Sequence, residues 1–287
     1  MRSLHAISRH FSSLQKLKPN PSLHSIRKQF ESIGEGSVEL SRDKDSALIR
    51  LRNPRARNGL SGRMMAQLWE VLEELRLWPQ GKSVVLCGAD GFFCSGGDLT
   101  TVRRIADSDN GRKMSLLMQD NLARLQTLPM VSVAVIEGMA IGGGAEVATA
   151  ADFRLMSASA RIGFVHIRLG ITSAWGGGSR LSQLVGPQKA LHMMLSGRRL
   201  DAEEALRLGL VDDVIAAEAD AVAEGRAWIH RLLAARSHET IQAVKEIVNC
   251  ARFLPLELSL REELDVSCGV WGASEHQRAL AANIKHK

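Results

Sequence analysis

Short apolar runs rich in β-branched residues alternate with amphipathic stretches along the first half of the chain, and this alternation constrains the fold most. The sequence predicts a hairpin over 38–53, strands over 83–88 and 131–138, and helices over 61–78 and 111–127. Strands that alternate with helices usually form a mostly parallel sheet that is covered by helices. We therefore expect an α/β fold.

Length and composition favour one large α/β domain, or such a domain with a helical appendage. The chain has 287 residues, and from about residue 186 onwards it is predicted to be mostly helical, either as an oligomer interface or as a helical cap. The four cysteines form no CxxC pair and match no zinc module, so we expect reduced thiols. The longest apolar run, 130–136, is too short to cross a bilayer.

The net charge of +6 is concentrated at the N-terminus. Residues 1–30 contain six Lys and Arg and no acid, so the remainder of the chain is neutral in total and gives no support for a nucleic-acid surface. A basic, Ser-rich segment of this kind is typical of a mitochondrial transit peptide or of a disordered tail. The PNP sequence at 19–21 predicts a linker. We expect an N-terminal extension over 1–35 and a domain over 36–287 that starts near Gly36.

Two glycine-rich loops each follow a predicted strand and lead into a predicted helix. They are FCSGGD at 93–98, before a helix from Asp98 to about 106, and IGGGAE at 141–146, before a helix from Ala145. The motifs GxGxxG, GxxxxGK[ST], GxSxG and HExxH are absent. Glycine lets backbone N–H groups approach a ligand, and a helix N-terminus adds partial positive charge. The loops therefore predict an oxyanion hole with one donor from each, or simply two tight turns that pack helices on the sheet.

Several ordered motifs resemble the crotonase (enoyl-CoA hydratase/isomerase) superfamily over roughly 36–287: FFCSGGDL, GMAIGGGAEVATAADFRL, GFVHIRLGI, WGGGSRL and DAEEALRLGLVDDVI. The resemblance implies a crotonase-like spiral of ββα units with a C-terminal helical oligomerisation region. It also implies homotrimers or hexamers that bind acyl-CoA, with no metal, no nucleic-acid or membrane partner, and no cofactor apart from the CoA of the substrate.

The resemblance also assigns site residues. It implies that Gly97 and Gly143 donate the two peptide N–H groups, and that Glu146 and His166 complete the catalytic set. His166 stands where hydratases of the family place a second glutamate. The implied contacts to the substrate come from a larger set: Arg55 and Arg57 to the CoA phosphates, and Ala89, Leu99 and Trp175 to the remainder of the acyl-CoA. Asp98 is expected to cap a helix, and a proline expected in the segment 172–174 is missing.

Hydration of an enoyl thioester by this family uses paired carboxylates, and this chain offers only Glu146. The resemblance instead implies cofactor-independent decarboxylation of short branched malonyl-CoA thioesters, ethylmalonyl-CoA to butyryl-CoA and methylmalonyl-CoA to propionyl-CoA, as metabolite repair. His166 would protonate the enolate or anchor the substrate carboxylate. Glu146 would act as an acid if burial raises its pKa, or would orient another group. The alternatives are an enoyl-CoA hydratase/isomerase and a noncatalytic binding protein, for example one that binds RNA.

The resemblance implies the cytosol as location, whereas the basic N-terminus favours the mitochondrial matrix. The chain contains no tyrosine, so a mechanism that uses a phenolic hydroxyl is excluded.

Overall fold

The computed structural model describes residues 21–282, and within them eight strands form two sheets. The strands are β1 (Ser37–Asp43), β2 (Ser46–Arg52), β3 (Ser83–Gly88), β4 (Val131–Ile136), β5 (Met139–Ile141), β6 (Phe153–Ser157), β7 (Arg161–Gly163) and β8 (Asp213–Ile215). The main sheet has the order β1-β2-β3-β4-β6-β8. Only the β1–β2 hairpin in it is antiparallel, and β5 pairs with β7 in a small parallel sheet.

Helices cover this sheet and make up most of the C-terminal third of the described chain. They are α1 (Pro21–Glu31), α2 (Gly62–Arg76), α3 (Leu99–Arg104), α4 (Ser108–Gln126), α5 (Gly143–Ala148), α6 (Gly177–Val185), α7 (Pro187–Ser196), α8 (Ala202–Arg207), α9 (Ala221–Leu233), α10 (His238–Phe253), α11 (Leu256–Val270) and α12 (Ser274–Ala281). Short 3₁₀ turns lie at Pro54–Ala56 and His166–Leu169. The expected α/β fold is therefore confirmed. No helix in residues 21–282 is long and apolar enough to cross a membrane.

Capping residues set the helix starts. Ser61 accepts a hydrogen bond from the Met64 N–H at 3.2 Å and begins α2, as expected from the sequence. Asp98 accepts one from the Thr101 N–H at 2.8 Å and begins α3, which confirms the expected cap. The helix predicted from residue 111 begins earlier, at Ser108, because Asp107 caps it.

The packed domain begins earlier than the expected boundary at Gly36. Ile26, Phe30 and Ile33, which recur at helical spacing, are buried in the main hydrophobic core beside α2 and α4. Pro21, which was expected to lie in a linker, is the first residue of α1. Most of the transit peptide or tail expected at the N-terminus, residues 1–20, lies outside the described residues.

The main sheet is buried on both faces. Along β3, Val84 and Leu86 face the larger core cluster, whereas Val85 and Cys87 face a smaller cluster that α9 covers. This double burial explains why β3 reads as a continuous apolar run. All four cysteines are free thiols, as expected.

Candidate active site

Backbone hydrogen bonds hold the two glycine loops side by side. The Cys94 N–H donates to the Met139 carbonyl at 3.0 Å, and the Ile141 N–H donates to the Cys94 carbonyl at 3.1 Å. On the other side of the first loop, Leu60 donates to the Gly96 carbonyl at 2.7 Å and accepts from the N–H of residue 98 at 2.9 Å. Segment 94–97 is thus fixed between segment 139–141 and Leu60.

The three consecutive glycines each meet a different steric demand. Gly142 has a φ of +57°, which side chains rarely tolerate. A Cβ atom at Gly143 would lie 2.3 Å from Cζ3 of Trp175, and one at Gly144 would lie 2.0 Å from the Cys94 carbonyl oxygen. Close packing of the loop against a neighbouring backbone and an indole ring therefore requires all three glycines.

The N–H groups of Gly97 and Gly143 are brought near one another with no acceptor among residues 21–282. Gly143 is the first residue of α5, which begins two residues before the expected Ala145, so its N–H has no partner within the helix. A Cβ atom at Gly96 would lie 3.1 Å from the Gly143 nitrogen, which shows how closely the loops approach. Two such donors, one at a helix N-terminus, can stabilise an oxyanion.

Glu146 is a buried carboxylate whose oxygens are occupied by protein donors. Its side chain is 1 % exposed, and Oε2 accepts hydrogen bonds from the Ser173 hydroxyl at 2.6 Å, from the Trp175 N–H at 2.9 Å and from the Gly177 N–H at 2.8 Å. Burial raises the pKa of Glu146, but contact with His166 and these hydrogen bonds outweigh burial and hold the pKa below its ordinary value. The raised pKa that an acid role would need is therefore not found.

His166 contacts the other oxygen of that carboxylate. Its Nε2 lies 3.0 Å from Oε1 of Glu146, and its side chain is 11 % exposed. Neither ring nitrogen makes a hydrogen bond of good geometry within the described chain, so the imidazole and the carboxylate are in close polar contact without a hydrogen bond. A Cβ atom at Gly142 would lie 3.9 Å from the same Nε2, which places the imidazole beside the glycine loop.

Arg180 is a buried cation that braces the segment around Glu146. Its Nη2 donates to the carbonyl oxygens of Glu146 at 3.1 Å and Trp175 at 2.9 Å, and its Nε donates to the Thr149 hydroxyl at 3.2 Å. Burial lowers the pKa of Arg180 to about 10, and the negative charge of Glu146 opposes that shift. The guanidinium therefore remains charged and balances the buried carboxylate.

Trp175 and Leu99 lie near the glycine loops in different environments. Trp175 is 4 % exposed, and its indole packs against Gly143. A Cβ atom built on Gly97 would lie 3.9 Å from the same indole. Leu99, the first residue of α3, is 55 % exposed directly after the first loop. The structure thus gives the site an aromatic wall and an exposed aliphatic side chain.

The remaining predicted substrate residues lie on segments connected to the first loop. Arg55 and Arg57 are exposed at the 3₁₀ turn, where the Arg57 guanidinium lies 5.7 Å from the centre of the Phe92 ring. Ala89 is buried, and its carbonyl accepts from Nδ2 of Asn58 at 2.8 Å. The two arginines are accessible to a ligand, whereas the side chain of Ala89 has little room to meet one.

Sequence reasoning missed Ser173 and Arg180. Ser173 lies in the segment where a proline was expected, which was the one available signal, and nothing in the sequence around Arg180 pointed to Glu146. Across residues 21–282, no group of three or more His, Cys, Asp or Glu side chains is arranged to hold a metal ion.

Sequence comparison identifies relatives over most of the chain. The family model described as enoyl-CoA hydratase/isomerase matches residues 42–277. Two curated relatives are named ethylmalonyl-CoA decarboxylase: the Danio rerio protein is 42 % identical and the Gallus gallus protein 40 %, each over 91 % of this chain and 88 % of its own length.

Solved structures share the fold. The crystal structure of enoyl-CoA hydratase from Bacillus anthracis has a TM-score of 0.80 at 27 % identity and covers 85 % of this chain and 95 % of its own. A putative enoyl-CoA hydratase from Thermobifida fusca, solved in complex with CoA, has a TM-score of 0.72 at 27 % identity, with coverages of 86 % and 95 %. The family match and these relatives agree with the glycine loops, and the chain belongs to the enoyl-CoA hydratase/isomerase family, the crotonases.

Proposed function

We propose that this protein decarboxylates short branched malonyl-CoA thioesters, converting ethylmalonyl-CoA to butyryl-CoA and methylmalonyl-CoA to propionyl-CoA. The observation that carries the proposal is the pairing of Glu146 with His166 beside two N–H donors that have no acceptor within residues 21–282. Three donors on one oxygen and an imidazole at the other leave this carboxylate poorly suited to activate water. Relatives at about 40 % identity that are named decarboxylases support the same reaction class.

The proposed reaction depends more on stabilisation of negative charge on the thioester oxygen than on an acid or a base. The thioester oxygen accepts the N–H groups of Gly97 and Gly143. The bond between the α-carbon and the substrate carboxylate breaks, CO₂ leaves, and the electron pair forms the enolate whose oxygen these donors stabilise. A proton added to the α-carbon then gives the acyl-CoA. Each donor contributes about 3 kcal/mol to stabilising such a transition state.

His166 is the proposed proton source for the enolate, or the cation that anchors the leaving carboxylate. It lies beside Gly142, next to the proposed oxyanion donor, and imidazole exchanges protons near neutral pH. Glu146, as a carboxylate, orients this ring rather than delivering the proton. The proposed chemistry requires no metal or organic cofactor, because the thioester itself accepts the electron pair.

An enoyl-CoA hydratase activity is the second candidate, because GGGAE retains the first of the two family glutamates. The imidazole of His166 at the second position argues against it, since hydration by this family uses paired carboxylates.

Turnover of ethylmalonyl-CoA, methylmalonyl-CoA and crotonyl-CoA, measured side by side by mass spectrometry on dialysed protein, tests the proposal. We expect butyryl-CoA and propionyl-CoA without hydration product. His166→Ala should lower decarboxylation by about 100-fold or more, whereas His192→Ala, an exposed histidine on α7, should leave it unchanged. Hydroxybutyryl-CoA from crotonyl-CoA, with both malonyl thioesters untouched, would establish the hydratase instead.

Arg55 and Arg57 are the proposed contacts to the CoA phosphates, because both guanidinium groups are exposed beside the first glycine loop. Replacing both with alanine should raise KM and leave kcat within about twofold, since a contact made equally in ground state and transition state affects binding alone. Lys189, an exposed lysine on α7, provides a control for general charge effects.

We also propose a homotrimer or hexamer in the cytosol, where the enzyme removes wrongly carboxylated acyl-CoA. Exposed apolar side chains on the C-terminal helices support assembly: Val244, Val248, Leu256, Leu260 and Leu264. Light scattering after size-exclusion chromatography tests the assembly. Imaging of tagged protein with and without residues 1–30 tests the location. Import into mitochondria of the full chain, but not of the chain without residues 1–30, would contradict the cytosolic location.

A further inference from the structure

Ser173 joins three parts of the site through one hydroxyl group. It donates to Oε2 of Glu146 at 2.6 Å and accepts from the Gly178 N–H at 2.9 Å. It thereby connects the segment before α6, the first turn of α6 and the carboxylate on α5. Among the described residues it is the only side chain that donates to Oε2, because the other donors are backbone N–H groups.

The segment 173–177 carries Trp175, so Ser173 also affects the wall beside the glycine loop. Glu146 accepts from the backbone at residues 175 and 177, and Arg180 donates to the Trp175 carbonyl. The segment is therefore folded around an anionic carboxylate, with a buried cation on its far side. The orientation of the carboxylate and the position of the indole depend on the same set of hydrogen bonds.

Oε1 of Glu146 lies 3.0 Å from Nε2 of His166 and accepts a long hydrogen bond from the Ala174 N–H at 3.4 Å. Hydrogen bonds at Oε2 fix the orientation of the carboxylate and therefore the position of Oε1. The position of Oε1 in turn restrains the orientation of the imidazole that contacts it. Without the hydroxyl, two backbone donors remain at Oε2 and only the long Ala174 N–H contact of 3.4 Å remains at Oε1, so the carboxylate is held less firmly. The imidazole then loses a fixed partner beside the glycine loop.

We propose that Ser173 is a positioning residue that acts through Glu146 on His166 and, through its own segment, on Trp175. Ser173 lies in the segment 172–174, where a proline was expected, and proline has no hydroxyl to donate. This role rests on the proposed function, because it is read out partly through decarboxylation. A residue that aligns a reacting group affects kcat more than KM.

The isosteric pair Ser173→Thr and Ser173→Val tests the hydroxyl directly. Both variants give a branched side chain of the same shape at a partly exposed position, and only threonine keeps the donor. We expect Ser173→Val to lower kcat for the malonyl thioesters by about tenfold with KM within about twofold, and Ser173→Thr to retain most of the turnover. Ser179→Ala, at an exposed serine on the neighbouring helix α6, serves as control and should match wild type.

NMR of the His166 ring gives a readout that does not need turnover. The ring ¹⁵N and ¹H resonances should shift in Ser173→Val and stay near wild type in Ser173→Thr and Ser179→Ala. Equal kcat values and equal His166 resonances in the threonine and valine variants would overturn the positioning role. Absence of decarboxylation in wild type would instead refute the proposed function, and the NMR comparison would still decide the role of Ser173.

Discussion

Replacing Glu146 with glutamine keeps the size of the buried side chain and removes its charge. Oε2 accepts three hydrogen bonds in the wild type, and the amide oxygen can take the same place with its NH₂ group facing His166. A hydrogen bond to a charged group contributes about 1 kcal/mol more than a neutral one, so the three bonds together lose about 3 kcal/mol. Because the side chain is 1 % exposed, solvent screening does not reduce this figure much.

The expected result is a less stable protein with partial activity. For a domain of this size, about 3 kcal/mol corresponds to a melting temperature lower by roughly 6 °C, which circular dichroism can measure. The kcat for decarboxylation should fall by about tenfold, because the imidazole loses its charged partner but remains present. Glu218→Gln, at an exposed loop position, should leave both quantities at wild-type values.

An acid or base role for Glu146 predicts a different pair of results. Loss of a general acid or base costs about 100-fold to 10,000-fold in rate and need not affect stability. Suppose that the Glu146→Gln protein has the wild-type melting temperature but has lost about 1,000-fold or more of its turnover. This result would refute the view of Glu146 as an anchored carboxylate.

Three further predictions concern packing and charge. Gly143→Ala places a Cβ atom 2.3 Å from the Trp175 indole and should reduce turnover by about 100-fold, whereas Gly111→Ala, which meets no atom within 4 Å, should keep full turnover in steady-state assays. The folded-state pKa of Glu146 lies below its ordinary value, so the stabilisation by its carboxylate is fully present above the unfolded pKa and is lost as pH falls through the folded pKa. In urea titrations, the stability difference between wild type and Glu146→Gln should narrow as pH falls below the ordinary glutamate range; a constant difference contradicts the shift. Phe30→Ala should lower the free energy of unfolding by about 3–5 kcal/mol in the same assay. A change near zero would show that α1 does not pack in the core.

Local patterns predicted most of the fold. The β-branched run at 83–88 and the Ser61 cap each identify an element from a few neighbouring residues. The start of α4 was missed because Asp107 and Asp109 are both suitable caps, and only the backbone conformation decides between them. Helix α1 was missed because its basic, polar composition concealed the two apolar residues that it buries, Ile26 and Phe30.

The site was predictable where its geometry follows from a motif. Gly97 and Gly143 belong to recognisable loops, and the structure brings those loops together. Ser173 and Arg180 reach Glu146 from 27 and 34 residues away in sequence, so no local pattern reveals their hydrogen bonds. The lowering of the Glu146 pKa also depends on hydrogen-bond donors that are distant in sequence, and the sequence alone does not reveal them.

The hydrogen bonds that fix segment 94–97 between Leu60 and segment 139–141 are made entirely by backbone atoms. The spacing of the two N–H donors is therefore insensitive to most side-chain replacements outside the glycines. Residues around the proposed thioester site, at positions such as 146, 166 and 173, can then change during evolution without any change in the position of the two N–H donors. The same fold can therefore acquire different reactions through a few side-chain substitutions around N–H donors whose positions do not change.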